Sequence, residues 1–89
     1  MRPIGLTDLN DAVRAVLAAP EDDRAATAAR IVGQACLADR YRKRMGRRHP
    51  VWGDGTLSAA ARAGPIVAAS GWCDRDYRAA LALMLAALA

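Results

Sequence analysis

Phenylalanine is absent from these 89 residues, and the other aromatics amount to two Trp and two Tyr. A core filled by large aromatic rings is therefore excluded. Hydrophobic residues make up 54% of the chain, but many are alanine, whose burial removes little apolar area from water. The large core candidates are few: Ile4, Leu6, Leu9, Val13, Val16, Leu17, Ile31, Val32, Leu37, Leu57 and the leucines of the last predicted helix. A chain this short reads as one domain, residues 1–89. It lies near the size at which a single core supplies only ~3–5 kcal/mol. Marginal stability makes a protein partner or self-association the expectation.

Cysteine and histidine are scarce too. Cys36 and Cys73 form no disulfide framework, and with the lone His49 they fall short of the four ligands of a structural zinc site. No metal or cofactor is expected. Long hydrophobic runs are missing: Ala79–Ala89 is uncharged and apolar, but shorter than the ~18 residues of a membrane span. Met1–Ala19 carries Asp8, Asn10, Asp11 and Arg14, which does not fit the apolar core of a secretory signal. A cytoplasmic protein with reduced thiols and no membrane contact is expected.

Helical periodicity dominates what is present. Leu9, Val13, Val16 and Leu17 form an apolar stripe on a helix over Asp8–Ala19, capped by Thr7, with Asp8 and Asp11 near the positive end of its dipole. Pro20 ends this helix or opens the next. The second and longest helix has an acidic start, Glu21–Asp23, a basic end, Arg40–Arg44, and Gly46 as its stop. Its apolar side is small (Ala25, Ala28, Ile31, Val32, Ala35, Cys36, Ala38), which admits close neighbours and places it at the centre of the packing. An ordered turn follows over Arg47–Gly55. Asp54 or Thr56 caps a short helix over Leu57–Ala63, closed by Gly64 and Pro65, and Ile66–Trp72 is a linker. Asp74 caps a last helix through Leu88, with Tyr77, Leu81, Met84, Leu85 and Leu88 on one face and Leu83 outside it. This helix, apolar nearly all round, is expected to be buried on more than one side or against a second copy. The fold class is all-α, a small irregular bundle of three to four helices.

The net charge of +4 is concentrated. Arg40, Arg42, Lys43, Arg44, Arg47 and Arg48 supply six of the thirteen basic residues within one short segment. On a helix, Arg40, Lys43, Arg44 and Arg47 fall on adjoining faces. Such an array can track phosphates with steep salt dependence, and Tyr41 and Trp52 can add base stacking. The simpler reading is a solvated helix end whose cations complement the dipole. No helix-turn-helix pair with a polar recognition face is evident.

His49-Pro50-Val51-Trp52-Gly53-Asp54-Gly55 is the most distinctive segment. As a binding loop it offers His49 and Trp52 as contacts. As a structural element, Trp52 plugs the bundle while Gly53 and Gly55 supply unusual backbone angles. His49 and Asp54 have no serine or cysteine nucleophile placed beside them. Cys36 reads as packing and Cys73 as an ordinary thiol, although its place before a helix start would stabilise a thiolate. Gly53 and Gly55 match neither phosphate-loop spacing, and Glu21–Asp23 reads as a helix start rather than a metal site. No catalytic residue is assigned and no enzyme is expected.

The run Ala38-Asp39-Arg40-Tyr41-Arg42-Lys43-Arg44, with Gly46-Arg47, His49-Pro50, Trp52-Gly53, Gly55-Thr56-Leu57 and Ala59-Ala60, resembles a family of short uncharacterised alphaproteobacterial helical proteins. Asp76-Tyr77-Arg78-Ala79-Ala80-Leu81 fits their closing helix. The resemblance covers nearly the whole chain and implies a helical fold, with no activity attached to it. Small phage-type DNA-packaging subunits are similar in size and helical character only. The leading expectation is a non-enzymatic helical binding or adaptor protein that self-associates or docks on a protein partner, with the basic segment Arg40–Arg48 supplying an anion-facing surface. The alternative is a nucleic-acid-binding accessory protein, in regulation or phage-type DNA packaging.

Overall fold

A computed structural model describes residues 1–68 and 71–89 and, among them, four α-helices and no strand. Helix α1 spans Leu6–Leu17. It begins earlier than expected, because extended Gly5 is its N-cap and the Asp8 carboxylate accepts the Gly5 N–H at 2.9 Å. Thr7 thus lies inside the first turn instead of capping it. Pro20 leads a 3₁₀ turn over Glu21–Asp23. The Arg24 guanidinium then reaches back to the Ala19 and Leu17 carbonyls at 3.1 and 3.4 Å, satisfying acceptors that the end of α1 leaves open.

Helix α2 spans Arg24–Met45, a length of about 33 Å at 1.5 Å per residue. It stops where Gly46 adopts φ 71° and donates to the Arg42 carbonyl, a left-handed cap that glycine takes without strain. Ala28, Ile31, Ala35 and Ala38 are its buried apolar residues, and these small side chains let α1, α3 and α4 approach closely. Ala25 is exposed. Helix α3 is Leu57–Arg62, capped by Thr56, whose hydroxyl accepts the Ala59 N–H at 3.1 Å. Asp54 accepts from both the Thr56 N–H and hydroxyl, so the two expected capping residues act in series. Helix α4 spans Arg75–Leu88, with the Asp74 carboxylate accepting the Asp76 and Tyr77 N–H groups. Residues 69–70 of the expected linker lie outside the described residues.

The core is built from Val13 and Val16 of α1, Leu57 of α3 and Met84 of α4, with alanines between them. Helix α1 packs on α2, α3 and α4, so it shares the centre with α2. Several core candidates are not there. Ile4 and Leu6 are exposed at the chain's entry into α1, and Leu37 and Leu85 sit on outer faces, 47% and 51% exposed. Leu83, expected outside the stripe of α4, packs against the core, because that helix is embraced by both α1 and α2.

One buried polar cluster joins α1 to α3. Asp11, 2% exposed, accepts the Ser58 hydroxyl, Arg62 Nε at 2.9 Å and Arg62 Nη2 at 3.0 Å. Arg14 Nη1 adds a longer contact at 3.5 Å, and Asp8 accepts the Ser58 N–H at 3.1 Å. The two acids expected at the dipole of α1 therefore also hold the N-terminal turn of α3.

Candidate functional site

Past Gly46 the chain folds back as a tight turn in which His49 and Gly53 exchange backbone hydrogen bonds of 2.8 and 3.1 Å. His49 Nδ1 accepts the Val51 and Trp52 N–H groups at 3.0 and 3.1 Å. The ring is thereby held flat on Trp52, with centroids 4.7 Å apart and planes 8° from parallel, while Tyr41 of α2 meets it edge-on at 4.9 Å. Gly53 and Gly55, at φ 81° and 92°, bring this turn against α3 and α2. A Cβ on Gly53 would lie 2.6 Å from Ala59 Cβ, and one on Gly55 2.8 Å from Asp39 Cα. Only glycine permits both approaches.

Trp52 does not plug the bundle. It is half-buried and lines two surface cavities. One, of about 660 Å³, lies between α1, α2 and α3 and is walled by alanines of all three helices together with Pro20, Asp23, Arg30 and Gln34. The other, of about 840 Å³, is lined by Leu37, Arg40, Tyr41, Lys43, Arg44, Met45, His49 and Trp52. In this second groove Leu37, Tyr41 and Met45 recur every four residues along a flank of the buried face of α2, and Leu37 and Met45 are 47% and 50% exposed. The four-residue spacing of this stripe is legible in the sequence, but the alanines beside it mask which side is buried.

The basic segment divides. Arg42 and Lys43 pair with the buried Asp39, at 3.0 and 3.1 Å, Lys43 while still lining the groove, and the Met1 amino group lies 3.2 Å from the same carboxylate. Arg40, Arg44, Arg47 and Arg48 make no ion pair among the described residues. Arg47 and Arg48 lie beyond the end of α2, so Arg47 does not extend the helical array with Arg40, Lys43 and Arg44. Asp54 is held by Thr56 and by Arg2 at 3.3 Å. Cys36 and Cys73 are free thiols. No group of three or more His, Cys, Asp or Glu gathers with metal-ligand geometry among the described residues, and no described helix is long and apolar enough to cross a membrane.

Three carboxyls are held below the usual carboxylate range. At Asp39, hydrogen bonds from Arg42 and Lys43 are the leading cause and outweigh burial. At Asp11, burial is the largest single influence and pushes upward, but Ser58, Arg62 and Arg14 together reverse it. At Asp54 the Thr56 hydroxyl leads. A carboxyl lowered in the folded state contributes stability that is complete above its unfolded value of about 3.9 and is lost as pH falls through the folded value. Thermal midpoints followed by circular dichroism are expected to hold steady from about pH 8 to 5 and to fall progressively below about pH 4. The Asp39→Asn variant should show a shallower fall. A midpoint insensitive to acid would mean these pairs contribute nothing.

The groove thus joins apolar contact at Leu37 and Met45 with the unpaired guanidinium groups of Arg40 and Arg44. Neither the curated proteins nor the solved structures yield a match to this chain. Residues 2–88 match the family described as Domain of unknown function (DUF7742), and the chain belongs to that family.

Proposed function

We propose that this chain is a non-catalytic helical docking protein whose groove at the basic end of α2 takes up an acidic, apolar-faced protein segment. The observation that carries the reading is the joining of exposed Leu37 and Met45 with unpaired Arg40 and Arg44 in one concavity. Phosphates would satisfy the arginines but leave Leu37 and Met45 in water, whereas an acidic peptide with hydrophobic side chains meets both. The tight turn and the stacked His49–Trp52 pair support it further, since a preorganised wall lowers the ordering cost of binding. The free thiols fit a reducing, cytoplasmic setting, and the motif run from Ala38 to Ala60 supports an alphaproteobacterial source.

The test uses a synthetic helical peptide of glutamates and leucines, its lysine counterpart and a short DNA duplex. Trp52 fluorescence is the readout, in a Trp72→Phe background. The acidic peptide is expected to bind, and the lysine peptide not. Arg40→Glu with Arg44→Glu should weaken binding at least tenfold, about 1.4 kcal/mol, and Leu37→Ser with Met45→Ser should weaken it as well. Duplex binding that outcompetes the peptide and ignores the Leu37 and Met45 changes would replace this reading with the nucleic-acid one.

A further inference from the structure

Of the nine acidic residues, five are engaged within the fold. Asp8 and Asp74 accept backbone N–H groups at helix starts, Asp11 and Asp39 hold arginines, and Asp54 holds Thr56 and Arg2. Three of the remaining four are consecutive: Glu21, Asp22 and Asp23 are all exposed and make no ion pair among the described residues. The unpaired cations Arg40, Arg44, Arg47 and Arg48 gather at the opposite end of α2. That helix runs about 33 Å in a molecule 40 Å long. The two groups therefore cannot neutralise each other within one copy, and the chain is left with an acidic pole and a basic, grooved pole.

We infer that the groove's occupant is a second copy of this chain, presenting its Glu21–Asp23 turn so that copies associate head to tail. This rests on the docking reading of the groove and names its partner. The acidic pole is a 3₁₀ turn led by Pro20, and it carries exposed apolar surface at Pro20, Ala25 and Ala26. These residues cover Leu37 and Met45 while the three carboxylates meet Arg40 and Arg44. A two-fold contact through the groove would instead set Arg40 and Arg44 against their own copies, a like-charge juxtaposition. Head-to-tail contact joins two different surfaces, so it builds rings where the rotation closes and short filaments where it does not.

Solution mass by light scattering and sedimentation, at low salt and rising protein concentration, tests the inference. The mass is expected to climb above the 9.4 kDa monomer and to return to it near ~0.5 M salt, where screening acts within about 5 Å. The basic-pole variant (Arg40→Glu, Arg44→Glu) and the acidic-pole variant (Glu21→Lys, Asp22→Lys) should each be monomeric alone. Mixed in equal amounts they should associate again, because each supplies one intact pole. A wild-type chain that stays monomeric while still binding the glutamate–leucine peptide would overturn the second-copy assignment and leave the docking reading standing. Association that survives both pole variants but is lost in Leu85→Glu would place the interface on α4 and also overturn it. Loss of both self-association and peptide binding in the wild type would end both readings.

Discussion

Gly55→Ala is expected to leave a large fraction of the protein unfolded at 25 °C. Gly55 has φ 92°, and its missing Cβ position lies 2.8 Å from Asp39 Cα and Cβ and 2.9 Å from Asp39 Oδ1. Two of these atoms belong to the stem of a residue in the middle of α2, so no flexible side-chain tip can swing aside. Left-handed backbone costs an alanine roughly 1–2 kcal/mol, and the forced separation of loop and helix adds about 1–3 kcal/mol. Against a core that supplies only ~3–5 kcal/mol, the sum approaches the whole stability. Gly33→Ala is the internal contrast. Gly33 lies in α2 with nothing within 4 Å of an added Cβ, so alanine there should stabilise by about 0.5–1 kcal/mol. Urea titrations of both variants, followed by helical signal, give the comparison. A Gly55→Ala midpoint equal to wild type would mean that the loop does not press on α2.

Asp11→Ala should cost about 2–4 kcal/mol, the range for removing one buried, charged hydrogen-bond partner. Its carboxylate is the shared acceptor for Ser58 and Arg62 of α3 and for Arg14 of its own helix. Without it the short α3 loses a side-chain tie to α1, and hydrogen exchange should accelerate there before elsewhere. Arg62 is 55% exposed and can turn to water, so the Asp11–Arg62 pair itself is worth less than the whole effect. A double-mutant cycle with Arg62→Ala should return a coupling of about 1 kcal/mol or less. Asp11→Asn, which keeps an acceptor for Ser58, should fall between wild type and alanine. An Asp11→Ala stability equal to wild type would show that the cluster is surface decoration.

The same contrast between near and distant interactions separates what could be read from residues from what could not. The stop of α2 at Gly46, the Asp74 cap and the turn character of the segment after Trp52 are local: each needs only the chemistry of a few neighbouring residues, and each is legible in the order of amino acids, whereas the press of Gly55 on Asp39 is set by packing. Leu37, Tyr41 and Met45 were equally local, at four-residue spacing, but the alanine-rich face of α2 gave a reader no contrast by which to decide which side turns inward. Burial of Leu37 was expected and exposure is found, because α1, α3 and α4 take the side where small residues allow close approach.

The helical class, the stop of α2 and the starts of α3 and α4 follow from the chain's own capping residues, periodicity and punctuation, all of which act over a few positions; the start of α1 at Gly5 in place of Thr7 does not. The pairing of Asp39 with Arg42 and Lys43 is local too, at three- and four-residue spacing on α2. Tertiary packing alone decided that Asp11 would meet Arg62, that the Met1 amino group would reach Asp39, and that the turn carrying His49 and Trp52 would close an apolar groove beside Arg40 and Arg44. Those outcomes depend on how separate elements pack, and the first two join residues tens of positions apart. Long-range pairing of this kind depends on which helix faces pack together, and no short-range pattern of residues encodes it.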